Sequence, residues 1–178
     1  MRLSFGQFIS VKLKQDETVL LVIGLCEAKP EVFKDWAGFY FEWNQIPEQT
    51  TPLMVASVHG LEAVVRRLLQ NRGADIDTRD TLSSTPLSLA AQYGHEAVVQ
   101  LLLETGQVDL NSQDSRHETP LSVAAWLGHE AVVKLLLKTG KVNVNCKDID
   151  NDTPLSIAAR RGDEPVVKLL LDTDHLAA

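Results

Sequence analysis

Histidine and acidic residues recur in this sequence at positions where they could bind a metal ion. His95 and His129 are 34 residues apart, and neither has a Cys or His partner at the spacing of a metal site. The segment DIDNDT, which starts at Asp148, resembles the start of an EF-hand calcium loop. That loop requires glycine at its sixth position and glutamate at its twelfth, where this sequence has Thr153 and Ala159. We therefore predict no metal site, a turn-stabilising role for the two histidines, and a solvated acidic loop.

Serine and cysteine residues are the candidate nucleophiles. Ser88, Ser122 and Ser156 recur with the same 34-residue spacing, but none lies in a G-x-S-x-G elbow, the strained turn that exposes a catalytic serine. Cys146 is followed by Lys147, which could lower the pKa of the thiol, although a bystander thiol is the expected role. An enzyme with its site in residues 1–50 is the remaining catalytic alternative, and no motif there supports it. We predict no catalytic residue and no cofactor.

Charge and apolar content argue against several classes of partner. The net charge is −7, and residues 51–178 contain 12 Lys and Arg against 17 Asp and Glu, without a basic run. Nucleic acid and anionic membrane are not expected partners, because clustered cations bind both of them. The longest apolar run, VLLVIGLC, starts at Val19 and is too short to span a bilayer. Two cysteines are typical of a reducing compartment, so we predict a cytoplasmic protein, with the nucleus as the alternative.

One phrase occurs four times along the chain. TPLSLAAQYGHEAVVQLLLETG begins at Thr85 and TPLSVAAWLGHEAVVKLLLKTG at Thr119, and weaker copies begin at Thr51 and Thr153. Each copy starts 34 residues after the one before it. A catalytic site is normally built once, so a fixed period indicates a repeat architecture. The predicted units are 51–84, 85–118, 119–152 and 153–178, of which the last is incomplete.

The unit at 119–152 predicts a helix, a turn, a second helix and an extended loop. Thr119 followed by Pro120 is a helix start, because the hydroxyl caps free amides and proline suits the first helical turn. Gly128 suits the left-handed residue that ends a helix. The following stretch, EAVVKLLLK, is apolar on more than one face, and KVNVNCKD alternates apolar and polar residues. A single unit cannot bury these faces, whereas stacked units can.

The shared Thr-Pro-Leu and Gly-His residues and the period resemble the ankyrin repeat family, over most of the chain. The resemblance implies an all-α, ankyrin-type solenoid of stacked helix-turn-helix units with short extended hairpin loops. The sequence style is also similar to the multi-repeat ankyrin arrays of filamentous fungi, some of which follow NTPase modules in proteins that resemble innate-immunity receptors. No phosphate-binding G-x-x-x-x-G-K-[ST] loop occurs in this sequence.

Two family positions depart from the usual pattern. The histidine expected after Thr-Pro-Leu is replaced by Met54, Ser88, Ser122 and Ser156, and serine can supply part of its hydrogen bonding. The glycine of the loop turn is replaced by Ser83, His117 and Asn151. Asparagine tolerates the left-handed conformation well, but serine and histidine do so less readily. We therefore expect strain, or a different turn, at Ser83 and His117.

The two ends of the chain do not follow the phrase. Residues 1–50 contain the aromatic stripe PEVFKDWAGFYFEW and are predicted to be an atypical N-terminal cap or degenerate repeat, with a separate module as the alternative. At the other end, Val166, Leu169 and Leu170 are predicted to lack a following unit to cover them. The chain end DTDHLAA could fold back over this face, another molecule could cover the face in weak self-association, or the chain could be a fragment of a longer array.

The predicted function is protein–protein interaction through a rigid curved scaffold. Positions that differ between units face outward in such a stack, and the resemblance implies that they line a concave face that contacts a partner protein. The alternative is a recognition or regulatory tail of a larger sensor protein. The predicted contact residues precede each turn glycine or lie at the loop tips: His59, Gln92, Tyr93, Trp126, Leu127, Arg160, Arg161, Arg116, Glu118, Asp150 and Asp152. Val58 shares the position of Gln92 and Trp126 and is also expected to face outward.

Overall fold

The structure, a computed structural model, describes residues 50–70 and 75–174. These residues all lie within one compact unit, 45–178. They form eight helices: α1 (Pro52–Val58), α2 (Glu62–Gln70), α3 (Pro86–Gln92), α4 (Glu96–Glu104), α5 (Pro120–Leu127), α6 (Glu130–Lys138), α7 (Pro154–Arg161) and α8 (Glu164–Asp174). The predictions made for residues 1–49, including the N-terminal cap and an enzyme site, lie outside the described residues.

The first helix of each pair begins with the predicted threonine cap. The hydroxyls of Thr85, Thr119 and Thr153 accept the amide of the serine three residues later, at 3.2 Å in each case. The serine hydroxyl in turn accepts a hydrogen bond from the threonine amide and donates one to the threonine carbonyl. Serine in place of the family histidine therefore completes a reciprocal cap that satisfies free backbone groups at the helix start.

The helices stack in two rows. Helices α1, α3, α5 and α7 contact one another in succession, and so do α2, α4, α6 and α8. The core between the rows is fully buried at Leu87, Leu121, Leu136 and Ile157. Ala90, Ala91, Ala124 and Ala125 are also fully buried, because small side chains let neighbouring first helices approach closely. The fold is an all-α solenoid, as predicted.

Each loop is organised by an aspartate, and none of the three was predicted to have this role. Oδ1 of Asp80 accepts the amides of Leu82 and Ser84, each at 2.8 Å. Asp114 and Asp148 make the equivalent pair of bonds in the next two loops. Such bonds from an aspartate to the following backbone stabilise a turn locally.

The loop tips adopt the left-handed conformation despite the absence of glycine. Ser83, His117 and Asn151 have φ values of 61°, 59° and 67°. We expected either strain or a different turn at Ser83 and His117. Both residues keep the left-handed turn, so the first of these alternatives applies. Non-glycine residues pay a steric cost there, and the aspartate bonds within each loop offset it.

Hydrogen bonds between neighbouring units repeat along the stack. The Ser115 amide donates to the Leu82 carbonyl at 2.9 Å, and the Ile149 amide donates to the Arg116 carbonyl at 3.1 Å. Nearer the helices, the Asn143 amide donates to Oδ1 of Asn111 at 2.7 Å. The loops are thus joined to each other as well as to their own helices.

Of the three residues predicted to lack cover, Leu169 is partly buried, and the prediction is wrong for Val166 and Leu170. Both are buried, because α8 packs against α6 and α7. The side chains that lose cover in the last pair are different ones. Ala159 is exposed although its counterparts Ala91 and Ala125 are fully buried, and Leu171 is 44% exposed. The helix α8 continues to Asp174, so the predicted fold-back of the chain end does not begin before that residue.

None of the described helices combines the length and the apolar character needed to cross a bilayer.

Candidate partner-binding surface

The histidines at the start of the second helices hold neighbouring units together. Nε2 of His95 lies 2.8 Å from the Val58 carbonyl, and Nε2 of His129 lies 3.0 Å from the Gln92 carbonyl. A carbonyl can only accept, so Nε2–H is the donor in both cases. The structural role predicted for these residues is present, but it links two units and does not stabilise a turn within one. Within the described residues, no cluster of three or more His, Cys, Asp or Glu side chains could hold a metal ion.

The residues before each turn glycine form the candidate surface. Tyr93, Trp126 and Leu127 are large side chains that are 49%, 41% and 40% exposed. Gln92, Arg160 and Arg161 are also exposed. Val58 is only 8% exposed, so the expectation that it faces outward is wrong. A short apolar side chain stays against the helix surface at a position where longer or polar side chains extend into solvent.

Trp126 and the two arginines of the next unit form one cluster. The guanidinium carbon of Arg161 lies 4.7 Å from the centroid of the indole ring, and that of Arg160 lies 6.0 Å from it. Both distances allow a cation–π interaction, and the nearer arginine has the stronger one. We call Trp126, Arg160 and Arg161 the Trp–Arg cluster. The structure therefore brings together three of the predicted contact residues, from two successive units.

Arg160 is also held by an acidic residue of the preceding loop. Its guanidinium forms an ion pair with Asp152 at 2.5 Å, and the Ser156 hydroxyl shares its one proton between this carboxylate, at 3.0 Å, and the Thr153 carbonyl. The hydrogen bond from Arg160 is the largest effect that lowers the pKa of Asp152, and the hydrogen bond from Ser156 is the next largest. Asp152, predicted as a contact residue in a solvated acidic loop, is thus half-buried and already paired with Arg160.

Glu118, Arg116 and Asp150 lie together at the loop tips. Arg116 Nε and Glu118 Oε2 are 3.8 Å apart, a loose pair in which the arginine is largely exposed. Burial raises the pKa of Glu118, as do the charges of Asp114, Asp148 and Asp150, against the opposing effect of Arg116. Asp150 is exposed. Negative charge therefore exceeds positive charge at this edge of the surface.

His59 is placed differently from its counterparts. It is half-buried, and burial, with a smaller effect from the charge of His95, lowers its pKa. A neutral, partly covered imidazole presents less side chain to a partner than Tyr93 or Leu127 does. Burial raises the pKa of the Cys146 thiol. The alternative that Lys147 lowers this pKa is therefore wrong.

Two exposed apolar residues at the loop tips complete the surface. Leu82 and Ile149 are 58% and 57% exposed, although the backbone of each loop is fixed by an aspartate. The 34-residue repeat already distinguishes these positions in the sequence. Asp80, Asp114 and Asp148 occupy the same position in successive units and are always aspartate, whereas the residues at the loop tips differ from unit to unit.

Family comparison agrees with the stacking. A family model described as ankyrin repeats (3 copies) matches residues 53–148, and a second model described as ankyrin repeat matches residues 150–178. The chain belongs to the ankyrin repeat family. Ankyrin repeats are in general protein–protein interaction modules, which gives this ankyrin repeat protein the same broad role. No curated protein matches the chain.

Proposed function

We propose that this chain binds a partner protein through the concave side of its solenoid, with the Trp–Arg cluster at the centre of the contact. The observation that carries the proposal is the exposure of Tyr93, directly after α3, and of Trp126 and Leu127 at the end of α5, where Arg160 and Arg161 contact the Trp126 ring. Tyr, Trp and Arg are the residues that dominate binding hot spots. A binding role also accounts for large apolar side chains in solvent on an otherwise regular stack.

The test compares two single substitutions in the same helix pair. Immobilised wild-type protein, Trp126→Ala and Lys134→Ala are each incubated with an extract of the native cells, and the retained proteins are identified. Lys134 is exposed on α6, in the other row of helices. A partner that uses the proposed surface is retained by the wild type and by Lys134→Ala, and is lost from Trp126→Ala.

Folding of the variants is checked by circular dichroism, because Trp126 also contacts the two arginines. Loss of that contact should cost about 1 kcal/mol. The proposal is wrong if Trp126→Ala is folded and retains the same proteins as the wild type, or if Lys134→Ala loses them.

We also propose that the chain self-associates through its last helix pair. It is favoured by the exposure of Ala159 and Leu171, since residues like Ala159 are buried by the next pair elsewhere in the stack. Sedimentation analysis should show a reversible increase in mass with concentration, and Leu171→Glu should reduce it. A monomer at all concentrations argues against the proposal.

A further inference from the structure

Arg161 differs from the other arginines for which the structure shows partners. Arg66 pairs with Glu62, Arg116 with Glu118, and Arg160 with Asp152. Arg79 donates to two backbone carbonyls. Within residues 50–70 and 75–174, Arg161 makes no ion pair and no hydrogen bond. Its one specific contact is the face of the Trp126 ring.

The tryptophan contact prepares Arg161 for an anionic ligand. A guanidinium stacked on an aromatic ring keeps its N–H groups directed outward at its edge, where they match the two oxygens of a carboxylate. The stacking also restricts a long side chain before a ligand arrives, which reduces the entropy lost on binding. The neighbouring Arg160 cannot serve equally well, because Asp152 already accepts from it.

The register of the stack adds an apolar surface beside this cation. The residue before the turn glycine is Tyr93 on the second helix pair, Leu127 on the third and Arg161 on the fourth. The first helices of these pairs contact one another in succession, so the three side chains follow one another along the stack. The order is two exposed apolar residues and then the available cation.

The surrounding charge restricts where an acidic ligand can lie. Asp148 and Asp150 lie in the loop that precedes α7, so a ligand that extends from Arg161 toward that loop meets negative charge, and Arg160 is already paired with Asp152. A single carboxylate at Arg161 is therefore compatible with this surface, whereas a long acidic run is not.

We propose that the partner of this surface contributes a linear segment in which an acidic residue lies next to a large apolar side chain. The carboxylate pairs with Arg161, and the apolar side chain packs on Leu127 and Tyr93 beside the Trp126 ring. This inference rests on the proposed function, and it adds the chemistry of the ligand and its direction along the stack.

The experiment selects a random peptide library, displayed on phage, against the full chain. Peptides that bind the wild-type protein should be enriched in Asp or Glu next to Phe, Leu or Ile. Replacing that acidic residue by its amide in a selected synthetic peptide should weaken binding by about tenfold or more, the lower end of the effect of close charge pairs.

Three variants of the protein locate the charge. On Arg161→Gln the acidic peptide and its amide form should bind equally, and on Arg161→Glu selection should favour Lys or Arg at the same position. Lys168→Gln is the matched control, because it removes one exposed cation from the same helix pair on α8. It should bind the acidic peptide as the wild type does.

The outcomes separate this inference from the proposed function. Selected peptides that require Trp126 but show no acidic preference, or a preference unchanged in Arg161→Gln, overturn the inference and leave the proposed surface intact. Peptides whose binding is unchanged by Trp126→Ala argue against the surface itself. A library that yields no binder to the wild type overturns the proposal of a linear segment.

Discussion

Alanine at Gly94 tests the link between neighbouring units, because two separate effects act there. Gly94 has a φ of 70°, and a Cβ added to it would lie 2.7 Å from Nδ1 of His129. Gly162 occupies the same position in the last pair with a φ of 72°, but nothing lies within 4 Å of its added Cβ. Alanine is strained at both positions, and only at Gly94 must it also displace an imidazole.

The expected costs follow from these contacts. Left-handed backbone at alanine costs about 1–2 kcal/mol, which is the whole effect expected for Gly162→Ala. Displacing the imidazole breaks the 3.0 Å bond from His129 to the Gln92 carbonyl. A hydrogen bond of this kind contributes about 0.5–1.5 kcal/mol, so Gly94→Ala should lower the free energy of unfolding by about 1.5–3.5 kcal/mol.

Urea denaturation of a double-mutant cycle separates the two effects. His129→Ala removes the hydrogen bond and also the obstacle to the new methyl group. In that background Gly94→Ala should cost only the backbone term, about 1–2 kcal/mol, as Gly162→Ala does in the wild type. If Gly94→Ala has the same cost with and without His129, the imidazole does not bridge the units in the way that the structure indicates.

Three further measurements test the stack and its loops. Leu136→Ala should lower the free energy of unfolding by about 2–5 kcal/mol because the side chain is fully buried, and a loss below about 1 kcal/mol in urea denaturation would contradict this. Glu118→Gln should be more stable than the wild type at neutral pH, because burial and three nearby aspartates raise the pKa of the folded carboxyl. Its advantage should disappear as pH falls through the folded pKa to about 4, since both states are then protonated; an advantage that persists there is contrary evidence. Amide exchange should be slower in α5 and α6, which are covered on both sides, than in α8; equal protection would argue against stacking as the source of stability.

The architecture was predictable because it depends on periodic features. A threonine cap, a proline in the first turn, buried alanines and a turn glycine recur every 34 residues, and each has a local physical reason. Burial of the last helix was predicted less well. Val166 and Leu170 are buried on α8, which packs against α6 and α7, and apolar periodicity alone does not say which neighbour covers a face.

The candidate surface was predictable as a row of positions but not as a set of contacts. Variation between units identified Trp126 and Arg161, while their 4.7 Å stacking depends on side-chain directions across two units. For the same reason the sequence could not show that Arg160 is already paired with Asp152 and that Arg161 is not. Val58 shares the position of Trp126, but its side chain is too short to leave the helix surface.

The junction between the third and fourth helix pairs departs from the others in a way that concerns both stability and binding. Asp163 replaces the bridging histidine, and its carboxylate accepts the Val166 amide at 3.2 Å, as a helix cap does. A carboxylate cannot donate to the Trp126 carbonyl as His129 donates to that of Gln92. The last pair therefore gains a capped helix and loses a link to its neighbour. The contacts of Arg160 and Arg161 with the Trp126 ring cross this same junction, so a ligand that orders the Trp–Arg cluster should also hold the last two pairs together.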